Sequence, residues 1–398
     1  MRKKINLLAL ISGLCLSLLG YVTIQRSARA SFDKPSNSMS EHNSANKQIT
    51  IHAAKRGSPN INLGDGQSLR SIYEGAPELA QILASNDARA LSMTTADFDE
   101  DGMPDLVCGY GNTNGGIITL QRGNVDAVYP NEPEAKQRVA QGTATDQPFL
   151  LQTKTFVSPG SPSFLGAGDF DADGHWDLVA AQKGADALYF LRGDGRGGFG
   201  AAQRMELGGN VTALSTGEMN RADGLTDLAV SIVGPDGAQA LVFEGPEGAL
   251  KRLPERFALP AAASSVALGQ LDSEYPFDLA VAAGSNLLIV HGRDRRLSVD
   301  DPTRARVATA VVDQQTFPFI IASMAVGDFV PRHEYREDIA LLAEDGRISL
   351  LKCEEQTGRT VWCVHEEIEA TPGDGAPRVA GALANQLIRV NTSDLPGD

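Results

Sequence analysis

An aspartate-rich loop occurs twice in full and three more times in altered form, and this repetition constrains the fold most. The full copies span 97–105 and 169–177, with acids at positions 1, 3, 5 and 9 and glycine at position 6. The altered copies begin near Glu218, Gln270 and Asp328, so successive copies start 72, 49, 52 and 58 residues apart. A period near 50 residues indicates one supersecondary unit per repeat, as in propellers, solenoids and arrays.

Short apolar runs flank each loop and predict strands. The clearest are Asp177–Ala181, directly after the second loop, and Ala187–Leu191, which follows it. Runs of this length between turn residues indicate buried strands. The 41 glycines and 20 prolines suit a turn-rich chain. The predicted fold class is therefore all-β, a β-propeller whose four-stranded blades are about 50–70 residues long.

The full loops carry the chemistry of a calcium site. Four carboxylates in so short a segment repel one another unless a cation lies between them, and oxygen ligands at about 2.3–2.6 Å suit calcium. The glycine at position 6 permits the sharp turn that brings both ends of the loop to one ion. An EF-hand is excluded, because it needs flanking helices and a glutamate at position 12, where the second loop has Ala180.

The N-terminal residues 1–30 are predicted to be a secretory signal. A basic start at Arg2 precedes a mostly apolar stretch from Ile5 to Ile24, and Ala28-Arg29-Ala30 forms a cleavage site after Ala30. The alternative is an uncleaved membrane anchor, since the stretch is long enough to span a bilayer. Export would place the chain in the periplasm, at the cell surface or outside the cell, where calcium is plentiful.

The remaining domain boundaries follow from composition. Residues 31–60 are polar and without apolar periodicity, which predicts a disordered linker. Residues 61–87 form an N-terminal segment with a short helix at 77–85, and the propeller occupies 88–398. A formal charge of −15 argues against nucleic acid or an anionic membrane as partner. No membrane insertion is predicted once the signal is cleaved.

Cysteine and histidine usage limits the other functions. Cys353 and Cys363 lie on the two arms of a predicted hairpin, so a cross-strand disulfide is predicted in an oxidising compartment. The six histidines are scattered, and neither a Ser/His/Asp signature nor a His-x-x-His motif occurs. The sequence therefore predicts no catalytic residues and a protein that is not an enzyme.

The second unit resembles the FG-GAP and VCBS repeat family of β-propellers, which includes integrin α-chain heads. The resemblance rests on 168–174, on Asp177-Leu178-Val179, on the glycine turn 193–195 and on Phe199-Gly200. It implies six or seven blades, of which five are visible, with a partial sixth at 378–398. Either the given chain ends inside a unit or N-terminal residues complete it. Loops four and five depart from the pattern, and we expect no ion there.

The resemblance also implies ligands and a function. It implies two calcium sites in the full loops and a third in the altered loop that begins at Glu218. It also implies a non-catalytic binding or adhesion module for a protein or surface glycan. The alternatives are a hydrolase or lyase with its site on the central channel, or a structural segment of a longer surface protein. The implied ligands, with Met103 and His175 acting through their carbonyls, are Asp97, Asp99, Asp101, Met103 and Asp105; Asp169, Asp171, Asp173, His175 and Asp177; and Glu218, Asn220, Asp223 and Asp227.

Overall fold

The computed structural model describes residues 51–53, 59–61, 69–112, 115–145, 147–220, 224–297, 306–329, 336–356 and 359–368. The predicted signal at 1–30 and the partial blade at 378–398 lie outside these residues. Within the predicted linker, strands β1 (Ile51–Ala53) and β2 (Pro59–Ile61) pair with each other.

Residues 69–368 are built mainly from five sheets, which we call blades 1 to 5 and which are antiparallel apart from one parallel strand pair in blade 1. Four blades have four strands and blade 1 has five, which confirms the all-β propeller class. The strands of blade 1 are β3 (Ile72–Glu74), β4 (Arg89–Ala96), β5 (Asp105–Asn112), β6 (Gly115–Gly123) and β7 (Phe149–Ser158). Those of blade 2 are β8 (Phe164–Gly168), β9 (Asp177–Ala181), β10 (Ala187–Leu191) and β11 (Gln203–Glu206).

The remaining blades repeat the same up-and-down order. Blade 3 contains β12 (Asn210–Gly217), β13 (Asp227–Gly234), β14 (Gly237–Phe243) and β15 (Glu255–Ala258). Blade 4 contains β16 (Ala263–Gly269), β17 (Asp278–Ala283), β18 (Asn286–Val290) and β19 (Val312–Thr316). Blade 5 contains β20 (Ile321–Gly327), β21 (Asp338–Ala343), β22 (Ile348–Gln356) and β23 (Arg359–Ile368).

Strand β3 is an extra strand at the outer edge of blade 1, so the strands of that blade are counted from β4. Counted in this way, the blades stand side by side through their first strands. Strand β4 contacts β8, β8 contacts β12, β12 contacts β16, and β16 contacts β20. The described residues do not close these sheets into a ring. Because each aspartate-rich loop joins the first strand of a blade to the second, the loops share an architectural position, and we number them 1 to 5 with their blades.

The hydrophobic core lies between neighbouring blades, and position 2 of each loop anchors it. Phe98, Phe170, Met219 and Leu271 occupy this position in loops 1 to 4 and are at most 1% exposed. Each belongs to a cluster formed by its own blade and the next one. Phe329 takes this position in loop 5 and is only partly buried, consistent with the absence of a described sixth blade. Burial between blades therefore fixes loops 1 to 4 to the core.

Blade 1 carries the helical additions to the fold. Helix α1 (Pro77–Ala84) begins with proline at its first turn, as predicted, and Leu83 is its buried residue. Strand β3 pairs in parallel with β7 at the outer edge of the sheet. The insertion between β6 and β7 folds into α2 (Val125–Val128) and α3 (Pro133–Gln141).

Outside blade 1, a 3-10 turn at Ala249–Lys251 precedes β15 of blade 3. None of the described helices has the length and hydrophobicity needed to cross a membrane.

The predicted disulfide between Cys353 and Cys363 is wrong. Cys353 pairs with Trp362 across the β22–β23 ladder, whereas Cys363 pairs with Lys352. Because side chains alternate between the faces of a strand, the two sulfurs lie on opposite faces of the sheet. Cys353 packs with Trp362 in the core, 3% and 4% exposed, and neither cysteine is in a disulfide.

This geometry predicts how the two thiols react. We expect iodoacetamide to label Cys363 in the native protein, since it is partly exposed, and to label Cys353 only after unfolding. Mass spectrometry of the peptides, without prior reduction, checks the result. A peptide pair joined through Cys353 and Cys363 would contradict it, as would a melting temperature that falls on addition of a reducing agent.

Candidate metal loops

The two full loops adopt the same turn, which the carboxylates at positions 1 and 5 hold. In loop 2, Asp169 accepts hydrogen bonds from the N–H groups of Asp173 (3.1 Å) and Gly174 (2.9 Å). The Asp173 carboxylate accepts one from the His175 N–H (2.9 Å). Gly174 has φ +88°, a conformation that L side chains rarely adopt, which explains glycine at position 6. In loop 1, Asp97 and Asp101 accept the corresponding bonds.

The aspartate at position 9 braces each blade from inside. Asp177 is fully buried and accepts hydrogen bonds from the N–H groups of Phe170 (3.0 Å) and Gly193 (2.8 Å). Asp105 does the same with Phe98 and Gly123. Burial raises the pKa of both carboxyls to about 6, against the effect of these donors. Position 9 therefore ties the start of the loop to the end of the third strand.

The aspartate at position 3 differs from the others. The side chains of Asp99 and Asp171 are 6% and 9% exposed, yet one oxygen of each, Oδ1, has no hydrogen-bond partner. A buried carboxylate oxygen without a donor is costly, so it indicates a missing ligand. Turn capping accounts for positions 1, 5 and 9, but it leaves position 3 unexplained.

Three carboxylates come together in each full loop. Asp97, Asp99 and Asp101 offer oxygens within 4.8 Å of one another in loop 1, and Asp169, Asp171 and Asp177 do so in loop 2. Oxygen-only ligand sets of this kind suit a hard cation such as calcium. The unpartnered Oδ1 atoms at position 3 fit the same ion. The residues present thus fit the calcium sites predicted from the sequence, with the Oδ1 atom of position 3 as the ligand atom that has no other partner.

An arginine contacts the middle carboxylates of both full loops. Arg192 approaches Asp171 through Nε (3.3 Å) and Asp173 through Nη2 (2.6 Å). Arg122 contacts Asp99 and Asp101 in the same way, with Nη2 2.8 Å from Asp101. Although burial opposes it, the His175 N–H and Arg192 lower the pKa of Asp173. Each arginine directly precedes the glycine that donates to position 9.

Sequence reasoning missed these two arginines, although a signal was present. The third strand ends in Arg122-Gly123 in blade 1 and in Arg192-Gly193 in blade 2. The equivalent pairs in blades 3 and 4 are Glu244-Gly245 and His291-Gly292, so a polar residue before glycine recurs at this point. A search for residues at a fixed place after each loop would have found them.

Loop 3 is built differently. The Asn220 side chain donates to Glu244 and accepts from the Arg293 N–H (3.0 Å), while Arg295 lies 3.2 Å from Glu244. Burial raises the pKa of Glu244. Asp227 retains the bracing role and accepts from the Met219 N–H (2.9 Å). Asp223 lies outside the described residues, so the calcium site predicted from Glu218, Asn220, Asp223 and Asp227 stays a prediction.

In loop 4, histidine takes the place of the arginine. His291 Nδ1 lies 2.8 Å from Asp272 and 3.9 Å from Asp278, and Nε2 lies 3.0 Å from Asp313 on the outer strand. The hydrogen bond to Asp272 raises the pKa of His291 to about 9 against the effect of partial burial, and Asp313 adds to the increase. An imidazolium therefore joins the loop, the second strand and the fourth strand of this blade at neutral pH.

A pH dependence follows for blade 4. Because the folded-state pKa of His291 exceeds its usual value of 6.5, its contribution to stability is full below about pH 6.5 and disappears as pH rises through about 9. We expect His291→Gln to lower the free energy of unfolding by about 1–3 kcal/mol at pH 6 and by much less at pH 10. Chemical denaturation at both pH values measures the difference.

The matched control for this pH dependence is His365→Gln, because His365 is exposed. It should leave stability unchanged at both pH values. Equal losses for His291→Gln at pH 6 and pH 10 would show that its contribution does not depend on the proton.

Neighbouring loops touch along one edge of the blade array. The His175 ring lies 2.5 Å from Glu100, joining loops 2 and 1. Asn220 and Phe277 form a two-way backbone bridge between loops 3 and 4. The Gln270 N–H donates to Glu337 (2.8 Å), joining loops 4 and 5. Trp176 and Tyr275 are 39% and 77% exposed within this row of loops.

A cavity of about 300 Å³ lies where the first strands of the five blades converge. Its described lining combines hydroxyl groups, such as those of Thr94, Ser215 and Ser265, with aliphatic groups. No carboxylate, imidazole, thiol or amine belongs to this described lining. The cavity therefore offers polar but uncharged surface.

Comparison with known proteins supports the repeat. Residues 169–230, which include loop 2 and the strands around it, match a family model described as an FG-GAP-like repeat. This match confirms the resemblance that the sequence motifs predicted. A search of curated proteins finds no match.

Two solved structures are similar to the chain at low identity. One is a crystal structure of BBS1N in complex with ARL6DN, soaked with lead, at 12% identity and a TM-score of 0.36, covering 66% of this chain and 78% of that chain. The other is the same complex soaked with mercury, at 11% identity and a TM-score of 0.33, covering 66% and 79%.

Proposed function

Because the chain carries an FG-GAP-like repeat within a set of propeller blades, we propose that it is an exported, calcium-stabilised binding module without catalytic activity. The observation that carries the calcium part is the buried Oδ1 atom of Asp99 and of Asp171, which has no partner in either full loop. Export is part of this proposal and is compatible with the calcium assignment, since extracellular calcium modules bind in the millimolar range.

The metal would have a structural role. Three of the four acids in each full loop already hold backbone N–H groups, so an ion at this point would stiffen a turn that is largely formed. The full loop also leaves little room for a substrate. Calcium bound only to the folded state would stabilise it by mass action, by about 2.7 kcal/mol for each site at a hundred times Kd.

We assign the binding surface to the row of touching loops. This edge presents the exposed aromatic side chains Trp176 and Tyr275 beside carboxylate loops. Aromatic side chains supply much of the affinity at protein interfaces, and their amphipathic rings suit contact with a partner. A protein or a surface glycan is the proposed partner, by analogy with the repeat family, since fold alone does not determine function.

Calcium titration and thermal unfolding test the first part. We expect two sites by calorimetry, and a melting temperature that falls by about 5–10 °C for each site emptied by chelator. Asp171→Asn should remove one site. Asp186→Asn, in the same blade and with a side chain 66% exposed, is the matched control and should remove none. No bound calcium and no effect of chelator would refute the proposal.

Binding to arrays of glycans and extracellular proteins, with calcium and with chelator, tests the second part. We expect Trp176→Ala and Tyr275→Ala to weaken a captured partner, and Tyr275→Ala to do so without changing the melting temperature, because its side chain is 77% exposed. Retained affinity in both variants would place the partner elsewhere. The uncharged lining of the central cavity does not favour the alternative of a hydrolase or lyase with its site there.

A further inference from the structure

We propose that Arg122 and Arg192 are built-in competitors of calcium, each closing its loop in the ion-free protein and leaving when an ion binds. This inference deepens the proposed function and rests on its calcium sites. It concerns two residues that the ligand pattern does not include.

The first argument is the shared geometry of the two arginines. Each guanidinium contacts the carboxylates at positions 3 and 5 of its own loop, which are predicted calcium ligands. Each leaves the Oδ1 atom of position 3 without a partner. One positive charge therefore neutralises part of the negative charge of the loop but does not complete the coordination of position 3, as a divalent cation would.

The second argument is the exposure of the arginines. The side chains of Arg122 and Arg192 are 41% and 52% exposed, whereas Asp99 and Asp171 beneath them are almost fully buried. A half-exposed arginine can turn into solvent once an ion takes over the buried carboxylate, because its own charge is already partly solvated. The buried carboxylates remain in place and become available to the ion.

The third argument comes from the altered loops, because in loop 4 a different protein cation, His291, takes the position of the arginine, and in loop 3 an arginine from the next blade lies beside the loop. His291 contacts Asp272 in loop 4, and Arg295 contacts Glu244 beside loop 3. The loops that depart from the calcium pattern thus keep an internal positive charge. In loops 1, 2 and 4, a side-chain cation lies directly on the carboxylate at position 3.

Competition of this kind sets the calcium concentration above which the loop binds its ion. The arginine keeps the loop folded when calcium is scarce and weakens the apparent affinity for calcium, because the ion must displace it. Removing the arginine should therefore tighten binding and at the same time destabilise the ion-free protein. Removal of a residue that binds calcium directly would instead weaken the affinity for calcium.

The experiment uses terbium as a calcium probe, with luminescence sensitised by Trp176, which directly precedes Asp177 of loop 2. We expect Arg192→Gln to lower the Kd for terbium at this site by about fivefold, which corresponds to about 1 kcal/mol. The Kd for calcium, measured by displacement of terbium, should fall by the same factor. In chelator the same variant should melt below wild type. Arg122→Gln should act likewise on loop 1, measured by calcium calorimetry.

Arg204→Gln is the matched control. Arg204 is also 41% exposed and forms two ion pairs in blade 2, with Asp186 and Glu206, away from the loop. It should change neither the affinity nor the calcium-dependent shift in melting temperature. Arg192→Lys keeps the charge but loses the planar fork, so its affinity should lie between wild type and Arg192→Gln. This variant also keeps the test open if Arg192→Gln does not fold in chelator.

The outcomes separate the two proposals. Equal affinity in wild type, Arg192→Gln and Arg192→Lys would overturn the competition while leaving the calcium sites intact. Weaker binding in Arg192→Gln would show that the arginine supports the ion and would also overturn it. Absence of terbium and calcium binding in wild type and in every variant would overturn both proposals.

Discussion

Phe170→Ala is expected to lower the free energy of unfolding by about 3–5 kcal/mol. The Phe170 ring is 0% exposed and packs among side chains from both blade 2 and blade 3. Its truncation removes apolar burial and leaves a cavity between two sheets that can collapse only in part. Because Phe170 is also position 2 of loop 2, the loop should lose its anchor and bind calcium more weakly. Urea denaturation with and without calcium measures both effects.

Tyr275→Ala is the matched control for this prediction. Tyr275 is an aromatic residue in loop 4, but its side chain is 77% exposed, so we expect a change of less than about 0.5 kcal/mol. A loss below about 1 kcal/mol for Phe170→Ala would mean that blades 2 and 3 do not pack through this cluster. Equal losses for the two variants would contradict the assignment of position 2 as the core anchor.

Asp177→Ala is expected to lower the free energy of unfolding by about 2–4 kcal/mol. The substitution leaves the buried N–H groups of Phe170 and Gly193 without an acceptor, at about 1–3 kcal/mol each. Relief of the buried carboxylate, whose pKa burial raises to about 6, offsets part of this loss. Loop 2 should also lose a calcium ligand, so the chelator-dependent shift in melting temperature should shrink.

Asp177→Asn separates the brace from the charge. The asparagine oxygen can still accept one of the two N–H groups, while its amide nitrogen opposes the other, so we expect about half the destabilisation. Asp186→Ala, at an exposed site of the same blade, should be neutral within about 0.5 kcal/mol. Full stability of Asp177→Ala in chelator would show that position 9 serves the ion alone and does not brace the blade.

Several features of the fold followed from local pattern. The short helix predicted at 77–85 is present as Pro77–Ala84, because proline at the first turn and its apolar spacing specify it locally. Strand Ala187–Leu191 lies where its apolar run predicts it. The prediction of a disulfide was wrong because the spacing of two cysteines along a hairpin does not fix the register of its strands. A shift of one residue in this register decides whether Cys353 and Cys363 lie on the same face of the sheet.

For the candidate metal loops too, the sequence predicted some features and the tertiary structure was needed for others. The acids at positions 1, 5 and 9 could be identified from the sequence, but their bonds to backbone N–H groups depend on how the loop closes. The same loop pattern placed Asp99 and Asp171 among the predicted ligands without distinguishing them from their neighbours. Their unpartnered oxygens become visible only when burial and every hydrogen bond are known.

By itself, the sequence determined the repeat, the all-β class, the positions of the two full loops and the carboxylates they bring together. These features depend on residues close together in the chain, where spacing alone specifies geometry. The tertiary structure decided which residues pair across strands and blades. It placed Arg122 and Arg192 on the carboxylates, His291 in loop 4 and position 2 of loops 1 to 4 in the core. Such contacts join residues far apart in sequence, so only packing and register could decide them.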